Sequence, residues 1–435
     1  MLRSLTSSST LPAWWPVRFY YGWALVGALG VTATASYGVL SYAFAVFIAP
    51  MESELGWSKT AITGAFSVAS LIAGLAAVPI GRRVDRYGAR GVMTIGSLAA
   101  AILLVAWSQV HSLAAFYALW ALLGVASAAV LYEPAFAIVA AWFRAHRGRA
   151  FTVLTFLAGF ASVVFVPLAT WLVATHGWRE ALVWLAAIYA AIAVPVHAVL
   201  IRRWPADVGM EPDGGTAAGR PSSMAAGPLS KMAERSVSVR DAVRGAEFRW
   251  LAVTFGLSSL ATTAVSVHLV PLLLERGFGL AFAGGAMGAL GLMALPGRLI
   301  FTPLGDRWPR TAVTASIFAL QAAGCIALLA ADGAAAVWVF VVLFGAGFGA
   351  ITPARAALVA ELYGPAQYGG ISGVLALALS VTRAAAPVGA SVVHAIGGGA
   401  RASGYHSVLL VLLGLCLLSG AAISVVGGGN PDPPA

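Results

Sequence analysis

Charged residues are scarce in this sequence. Only 10% of its 435 residues are Asp, Glu, Lys or Arg, whereas soluble domains carry roughly 25%. Hydrophobic residues make up 60% of the chain, so it lacks the polar side chains that would cover a water-soluble surface. The composition excludes a soluble globular protein and indicates a chain that crosses a lipid bilayer many times.

Cysteines are also rare, and motifs of catalysis are missing. Cys325 and Cys416 are the two cysteines, and they fall in separate apolar segments, unlike a disulfide framework or a zinc site. The sequence contains no Walker motif, metal-ligand cluster or nucleophile constellation. We therefore expect no metal, no cofactor, no ATP-driven pump and no membrane enzyme.

Long apolar segments are what the sequence does contain. We identify twelve segments of about 20 to 28 residues, each long enough to cross a hydrocarbon core roughly 30 Å thick. The only long polar connection separates the sixth segment from the seventh. We predict an all-α membrane protein with an N-terminal six-helix half (1–201), a cytoplasmic linker (202–249) and a C-terminal six-helix half (250–435). The segments lie near residues 20–48, 58–80, 91–109, 113–142, 149–174, 180–201, 250–274, 279–302, 311–330, 334–361, 368–396 and 404–427.

The positive charge is unevenly distributed along the chain. A net charge of +10 could suggest a nucleic-acid partner. If both termini are cytoplasmic, however, 19 of the 26 Lys and Arg residues fall inside, four fall outside and three lie within helices. The positive-inside rule accounts for this distribution. We therefore expect cytoplasmic termini, a lipid bilayer as the surroundings and no nucleic acid.

Short motifs recur in the two halves at a nearly constant distance. Asp85 returns as Asp306 and Pro167 returns as Pro387, at offsets of 221 and 220 residues. Such offsets indicate a duplicated six-helix unit. Transporters built from parallel six-span repeats hold their substrate near the bilayer midplane, at the interface of the repeats.

One of these motifs is similar to a family signature. The segment GRRVDRYGAR (81–90) resembles the loop signature Gly-x-x-x-Asp-Arg-x-Gly-x-Arg of the major facilitator superfamily, and LGDRWPR (304–310) is a degraded copy. The resemblance implies a fold of twelve transmembrane helices in two pseudo-symmetric halves. Two glycines would allow a tight turn and a close backbone approach, and the aspartate would face a helix N-terminus. It also implies a cytoplasmic gate formed by Gly81, Asp85, Arg86, Gly88, Arg90, Asp306, Arg307 and Arg310. The competing interpretation is that the charges are only positive-inside anchors.

Four further motifs resemble the branch of this family that holds monocarboxylate transporters and oxalate/formate antiporters. They are YYGWALV (20–26), AAWFRAHRGRAF (140–151), THGWREAL (175–182) and the Gly-Arg pair in LPGRLIFTPLGDR (295–307). This resemblance implies a small organic anion as the substrate, with the arginine of segment eight, Arg298, as a contact to its carboxylate. Arg383 is chemically similar to the second basic residue of oxalate/formate antiporters.

Four ionisable residues lie deep inside predicted helices, namely Glu133, Arg298, Arg355 and Arg383. Each costs roughly 2.5–3.5 kcal/mol at a helix centre, so we expect each to face a watery cavity or a partner. Three guanidinium groups and one carboxylate around a cavity would select an anion, because a substrate carboxylate accepts a two-point guanidinium fork. The alternative for each arginine is a structural role beside backbone carbonyls or a buried acid.

Glu133 and Arg355 occupy near-equivalent positions in the two halves, and two pairings stay open. Either the two side chains meet across the cavity as a state-dependent salt bridge, or each binds a partner within its own half. If protons are coupled to transport, Glu133 is the best carrier in the sequence. Tyr37, Tyr42 and His268 are further candidates for substrate contact, although a lone histidine is more often structural.

Together these patterns predict a secondary transporter of a small organic anion, most simply a monocarboxylate. It would work as a monomer in the bacterial inner membrane, by proton symport or anion exchange. Two alternatives stay open. An exporter of hydrophobic or amphiphilic compounds would not need the internal arginines, and a substrate sensor on the same scaffold would bind without flux.

Overall fold

The computed structural model of the chain describes residues 20–214, 237–305, 307–397 and 404–426. The regular elements in these ranges are all helices. The chain divides into two compact units. Unit 1 contains Met1–Val237 together with Val359–Gly373, and unit 2 contains Ser238–Leu358 together with Val374–Ala435.

Unit 1 contains the first eight α-helices. Polar caps begin two of them, since the hydroxyls of Ser58 and Ser112 accept hydrogen bonds from backbone N–H groups three residues later. Two π-helical turns, Gly38–Tyr42 and Val196–Leu200, follow the first and the last of these helices. The helices are α1 (Tyr21–Tyr37), α2 (Phe44–Leu55), α3 (Lys59–Tyr87), α4 (Ala89–Ser108), α5 (Leu113–Val130), α6 (Tyr132–Trp142), α7 (Arg147–Ala158) and α8 (Ala161–Pro195).

Unit 2 contains most of the remaining helices. Two of these helices extend into unit 1, which takes the last turn of α13, the first turn of α14 and the residues between them. The helices are α9 (Val239–Arg244), α10 (Ala246–Glu275), α11 (Leu280–Leu304), α12 (Arg310–Ala330), α13 (Ala334–Tyr363), α14 (Tyr368–Gly397) and α15 (Gly404–Val426).

Within the described ranges, eleven helical stretches are long and apolar enough to cross a membrane. The longest, Arg147–Leu200, has 54 residues. At 1.5 Å per residue a straight helix of that length would measure roughly 80 Å, more than twice the thickness of a hydrocarbon core. The stretch breaks at Gly177, whose φ of 76° lies in the left-handed region that favours glycine. The two sides of this break are separate spans, so the described ranges contain twelve membrane-spanning segments. The predicted fold class is confirmed.

Aromatic side chains fill the interior of unit 1. The rings of Phe44, Trp107, Phe116 and Trp120 are buried, with 4.7 Å between the centroids of Phe44 and Trp120 and 5.0 Å between those of the two tryptophans. Both pairs meet edge to face, the arrangement that the charge distribution of aromatic rings favours. The cluster joins α2, α4 and α5.

Small residues bring one pair of helices into backbone contact at the same place in each unit. In unit 1, a Cβ added to Gly124 of α5 would lie 2.4 Å from the carbonyl oxygen of Ala69 in α3. In unit 2, a Cβ added to Gly345 of α13 would lie 2.8 Å from the carbonyl oxygen of Leu290 in α11. Gly345 lies 221 positions after Gly124, and Leu290 lies 221 positions after Ala69. Each unit therefore contains the same close helix contact, as a duplicated unit would.

The first turn of α14 lies along α3 within unit 1. A Cβ added to Gly81 would lie 1.9 Å from the carbonyl oxygen of Gly369, and a Cβ added to Gly373 would lie 2.4 Å from that of Ala77. The contacts are four residues apart on both helices, so they follow one helical face on each. Any side chain at these two glycines would force the helices apart.

Candidate functional site

Unit 2 contains a cavity of about 240 Å³ between α10, α11, α13 and α14. Its lining includes six hydroxyl side chains, four apolar side chains and three arginines, namely Arg298, Arg355 and Arg383. No aspartate or glutamate is among the described residues that line it. A space holding one water needs only roughly 10–15 Å³, so this cavity has room for a small organic molecule.

One face of α10 supplies most of the hydroxyl groups. The five residues concerned recur at helical spacing and fall within an arc of about 140° on a helix with 3.6 residues per turn. Phe255 lines the cavity from the same helix, one turn before them. These residues form a row of hydroxyl groups along one face of α10, although the helix is apolar enough overall to span a membrane. The five residues are Ser258, Ser259, Thr262, Thr263 and Ser266.

Arg298 is positioned by the close contact between α11 and α13. A Cβ added to Gly297 would lie 1.9 Å from the carbonyl oxygen of Ala346, and a Cβ added to Gly349 would lie 1.9 Å from that of Ala294. At this contact the Nε–H of Arg298 donates a hydrogen bond of 3.2 Å to the carbonyl oxygen of Gly349. The bond fixes the plane of the guanidinium group at the cavity wall.

The other two arginines reach the cavity from α13 and α14. Arg355 is buried, with 8% of its surface exposed. The Nε–H of Arg383 donates a hydrogen bond of 3.2 Å to the hydroxyl oxygen of Ser259 on α10. The structure thus brings the three predicted arginines to one cavity.

Glu133 lies in unit 1, in the first turn of α6. This helix begins there because the chain leaves helical geometry at Leu131, with φ −82° and ψ −157°. A carboxylate at a helix N-terminus interacts favourably with the helix dipole. Its side chain accepts a hydrogen bond from the hydroxyl group of Ser372 in the first turn of α14. The salt bridge between Glu133 and Arg355 stays a prediction.

The two candidate tyrosines also lie in unit 1. The ring of Tyr37 packs against that of Tyr132, with 4.6 Å between the centroids. Tyr42 ends the π-helical turn after α1 and is 49% exposed. A role for either tyrosine in substrate contact stays a prediction.

His268 is in unit 2 but is not among the residues that line the cavity. Its Nε2 lies 3.2 Å from the carbonyl oxygen of Pro387, which can only accept, so Nε2 is the donor in this bond. Its Nδ1 lies 3.2 Å from the hydroxyl oxygen of Tyr405. These two bonds tie α10 to α14 and α15. A role for His268 in substrate contact stays a prediction.

Asp85 caps the N-terminus of α14 within unit 1. Its Oδ1 accepts a hydrogen bond of 2.8 Å from the N–H of Gly369, and its Oδ2 accepts one of 2.7 Å from the N–H of Gly370. The first N–H groups of a helix have no partner inside the helix, so a carboxylate there satisfies two of them and complements the dipole. The GRRVDRYGAR segment was expected to be a loop, but α3 continues through it to Tyr87. Gly88 alone, at φ 84°, separates α3 from α4.

The remaining predicted gate residues lie in different surroundings. Arg90 donates through Nε to the carbonyl oxygen of Ala198, over 2.6 Å. Arg86 is exposed, and its guanidinium carbon lies 5.2 Å from the centre of the Tyr87 ring. Arg307 is exposed and Arg310 begins α12, both in unit 2. Asp306 lies outside the described residues.

Residues 201–214, which we call the strap, are part of unit 1 that the sequence analysis did not single out. The Nη2 group of Arg203 donates to the backbone carbonyl oxygen of Asp85 over 2.7 Å. At the other end, the carboxylate of Asp213 accepts hydrogen bonds from the three backbone N–H groups of residues 144–146, at 3.0, 2.8 and 3.2 Å. These partners are 67 to 118 positions apart in the chain, so no local pattern marks them.

Arg147, next to the end of the strap, binds three backbone carbonyl groups. Its Nε and Nη2 groups donate to Phe143 and Ala140 at the end of α6, each over 2.8 Å. Its Nη1 group donates to Ala360 in the last turn of α13, over 3.3 Å. The strap thus binds Asp85 and the loop before Arg147, and Asp85 and Arg147 in turn bind Val359–Gly373 within unit 1.

Three of the four motifs that resemble monocarboxylate transporters contain ties within unit 1. The hydroxyl groups of Tyr20 and Tyr21 donate to the carbonyl oxygens of Trp142 and Leu200, over 2.5 and 2.6 Å. After the break at Gly177, Arg179 donates to Glu54 over 2.8 Å and to the last carbonyl group of α4 over 2.6 Å. These motifs connect helix ends, and none of the residues named here lines the cavity of unit 2.

Comparisons with known proteins agree with this architecture. The sequence model described as the Major Facilitator Superfamily matches residues 29–387. No curated protein sequence matches the chain. Among solved structures, the human organic anion transporter MFSD10 (TETRAN) superposes with a TM-score of 0.68 at 16% identity, covering 94% of this chain and 99% of that one. A variant of the E. coli fucose:proton symporter FucP gives 0.70 at 13% identity, covering 94% and 98%.

Proposed function

The chain belongs to the Major Facilitator Superfamily, whose members are secondary transporters, and on that premise we propose that it carries a small organic anion, most simply a monocarboxylate. One structural neighbour is named an organic anion transporter, but at 16% identity the likeness concerns the fold alone. The proposal therefore depends on the cavity of unit 2. We place the protein in the bacterial inner membrane with both termini in the cytoplasm.

The observation that carries the proposal is the convergence of three arginines on one cavity whose described lining contains no acid. Like charges in a partly dehydrated space repel one another, and each one lost hydration when the cavity formed. A bound carboxylate lowers both costs, because it supplies negative charge and accepts charge-assisted hydrogen bonds. A neutral or cationic substrate would do neither.

Arg298 is the side chain best placed to orient the carboxylate. Its Nε–H is bonded to the Gly349 carbonyl oxygen, so the backbone of α13 determines the direction of the guanidinium group. A planar group held in this way recognises the two oxygens of a carboxylate as a pair, whereas an ammonium group acts as a point charge. Arg355 and Arg383 would then contribute charge from the two other helices.

A binding measurement on purified protein tests the role of Arg298. Arg298→Ala should weaken binding of the transported acid by about one to two decades, the equivalent of one charge-assisted bond of roughly 1.5–3 kcal/mol. Arg298→Lys should lie between wild type and Ala. Arg249→Ala, which removes an exposed arginine of α10 outside the cavity, is the matched control and should bind normally.

The ligands of this experiment are a series of small monocarboxylates and the amide of each acid, measured by thermal shift and titration. Acids should bind and amides should not. Equal dissociation constants for the acid in folded wild type and Arg298→Ala would rule out direct recognition by Arg298. Flux in liposomes that survives neutralisation of all three arginines would favour an exporter of hydrophobic compounds. Binding without flux would indicate a sensor.

A further inference from the structure

The hydroxyl row on α10 shows which hydrogen-bonding groups the cavity presents. Thr262 donates its hydroxyl proton to the backbone carbonyl oxygen of Ser258 over 2.8 Å, and Ser266 donates its own to that of Thr262 over 2.8 Å. A hydroxyl group has one proton and two lone pairs. Because both protons are bound within the helix, these two side chains present lone pairs, and therefore act as acceptors, on the cavity side.

The opposite walls present the three arginines as donors, together with one hydroxyl side chain, Thr352 of α13. Guanidinium groups have five N–H donors and no acceptor, and all three arginines lie on α11, α13 and α14. Ser259 is on the α10 side, but its oxygen accepts from the Nε–H of Arg383 and so helps to hold that arginine. The cavity therefore has positively charged donors on one side and two acceptors, Thr262 and Ser266, on α10.

From this division we propose that the substrate is a hydroxylated carboxylate. Its carboxylate accepts hydrogen bonds from the arginines, and its hydroxyl groups donate to Thr262 and Ser266. Side chains at i and i+4 of a helix are about 5–6 Å apart at Cβ, so the two acceptors match hydroxyl groups on carbons that are not neighbours. The ligand is then an acid of four or more carbons with several hydroxyl groups. This inference rests on the proposed function, since it refines the class of anion.

An unsubstituted alkyl acid of the same length would fit this cavity poorly. Its chain would remove water from the Thr262 and Ser266 oxygens without replacing the lost hydrogen bonds. Sites built to hydrogen-bond a substrate hydroxyl reject analogues that lack it for this reason. The hydroxyl row would thus determine specificity, whereas the arginines would determine the charge of the ligand.

The test compares acids of equal length on the purified full-length protein. Threonate is paired with butanoate and gluconate with hexanoate, and glucitol supplies hydroxyl groups without a carboxylate. At least one hydroxylated acid should bind tenfold more tightly than its alkyl partner, and glucitol should not bind. If both alkyl acids bind as tightly as their hydroxylated partners, the inference is wrong while the proposed function stands. If none of the four acids binds, both are wrong.

Variants of α10 show whether the row itself makes the distinction. Thr262→Val and Ser266→Ala should each reduce affinity for the preferred hydroxylated acid by about two- to tenfold, the equivalent of one hydrogen bond. Affinity for the alkyl acid should stay the same. Thr254→Val is the matched control, because Thr254 is buried in the same helix and does not line the cavity. A preference that is unchanged in both Thr262→Val and Ser266→Ala would overturn the assignment.

Discussion

At the scale of the residue, Asp85 makes two bonds that a neutral side chain cannot reproduce. Asp85→Asn keeps one acceptor oxygen but loses the charge and one of the two bonds to Gly369 and Gly370. Charge-assisted hydrogen bonds contribute roughly 1.5–3 kcal/mol, so the variant should release the first turn of α14 from α3 in a measurable fraction of molecules. Cysteine labelling at Ala366→Cys, in the turn before α14, should become faster.

Asp332→Asn is the control for this measurement. Its carboxylate is 88% exposed and pairs with Arg276, at 3.4 Å, far along the chain from the α13–α14 turn. Exposed pairs contribute at most about 1 kcal/mol, so labelling should not change. A labelling rate in Asp85→Asn that equals the control would show that the cap does not hold this segment.

The internal arginines could be found from the sequence, whereas the hydroxyl row could not. An arginine inside an apolar run has a large transfer cost, so its presence alone predicts a cavity or a partner. Serine and threonine fit into membrane helices by donating to the preceding turn, so they leave hydropathy almost unchanged. Their spacing on one face of α10 was the available signal. Its meaning depends on the cavity that the neighbouring helices form.

At the scale of the element, the contact between α11 and α13 should be intolerant of added atoms. Gly297→Ala would place a methyl group 1.9 Å from the Ala346 carbonyl oxygen, so the helices must separate and the bond from Arg298 to Gly349 must lengthen or break. We expect a lower melting temperature and weaker anion binding. Gly291→Ala, on the same helix with nothing within 4 Å of the new Cβ, is the control.

The control should be neutral or stabilising, because Gly in a helix interior costs roughly 0.5–1 kcal/mol relative to Ala. Melting curves of both variants, recorded in the same detergent, make the comparison. Equal melting temperatures for Gly297→Ala and Gly291→Ala would mean that α11 and α13 are not in backbone contact.

The contact between Asp213 of the strap and residues 144–146 leads to a separate prediction. Asp213 accepts three backbone N–H bonds at the start of α7, and helix caps of this kind contribute roughly 0.5–2 kcal/mol. Asp213→Ala should therefore speed amide hydrogen exchange at residues 144–146. The amides of residues 109–116, in the turn between α4 and α5, give an internal reference that should not change. Unaltered exchange at all three amides would show that Asp213 does not bind the backbone of residues 144–146.

Element boundaries were less predictable than element number. The twelve spans follow from apolar length, which a bilayer imposes. The residue at which α3 ends does not follow from apolar length. Arginines at a membrane surface are equally compatible with a helix and with a loop, and this segment has three of them, Arg82, Arg83 and Arg86. Only Gly88 has a backbone conformation outside the helix, and a single glycine within a basic motif does not show on which residue the chain turns.

At the scale of the whole molecule, Glu133 is the predicted proton carrier. Gln has the same shape and can still accept the hydrogen bond from Ser372, but it cannot bind and release a proton. If Glu133 carries the proton, Glu133→Gln in liposomes should lose accumulation driven by a pH gradient and should retain counterflow of preloaded substrate. Unchanged accumulation would leave Glu133 as a structural partner and would mean that another group carries the proton.

The division of the chain into units was only partly visible in the sequence. The long polar connection and the repeated motifs predict two halves, and the matching contacts at Gly124 and Gly345 agree with a duplication. The sequence does not show that Val359–Gly373 packs in unit 1, because that packing depends on contacts such as Arg147–Ala360 and Asp85–Gly370, whose partners are 213 and 285 positions apart in the chain.

Because Val359–Gly373 packs in unit 1, the gene cannot be divided simply between its two halves. A polypeptide that stops in the linker after residue 214 would contain Asp85, Arg147 and the strap. It would lack the amide and carbonyl groups of Val359–Gly373 that Asp85 and Arg147 bind. Its α3 would expose Gly81 and Ala77, which in the full chain lie against the start of α14. The open reading frame therefore has no point in the linker at which it could be cut to give a complete unit 1. The first gene fragment would need the product of the second to finish its fold.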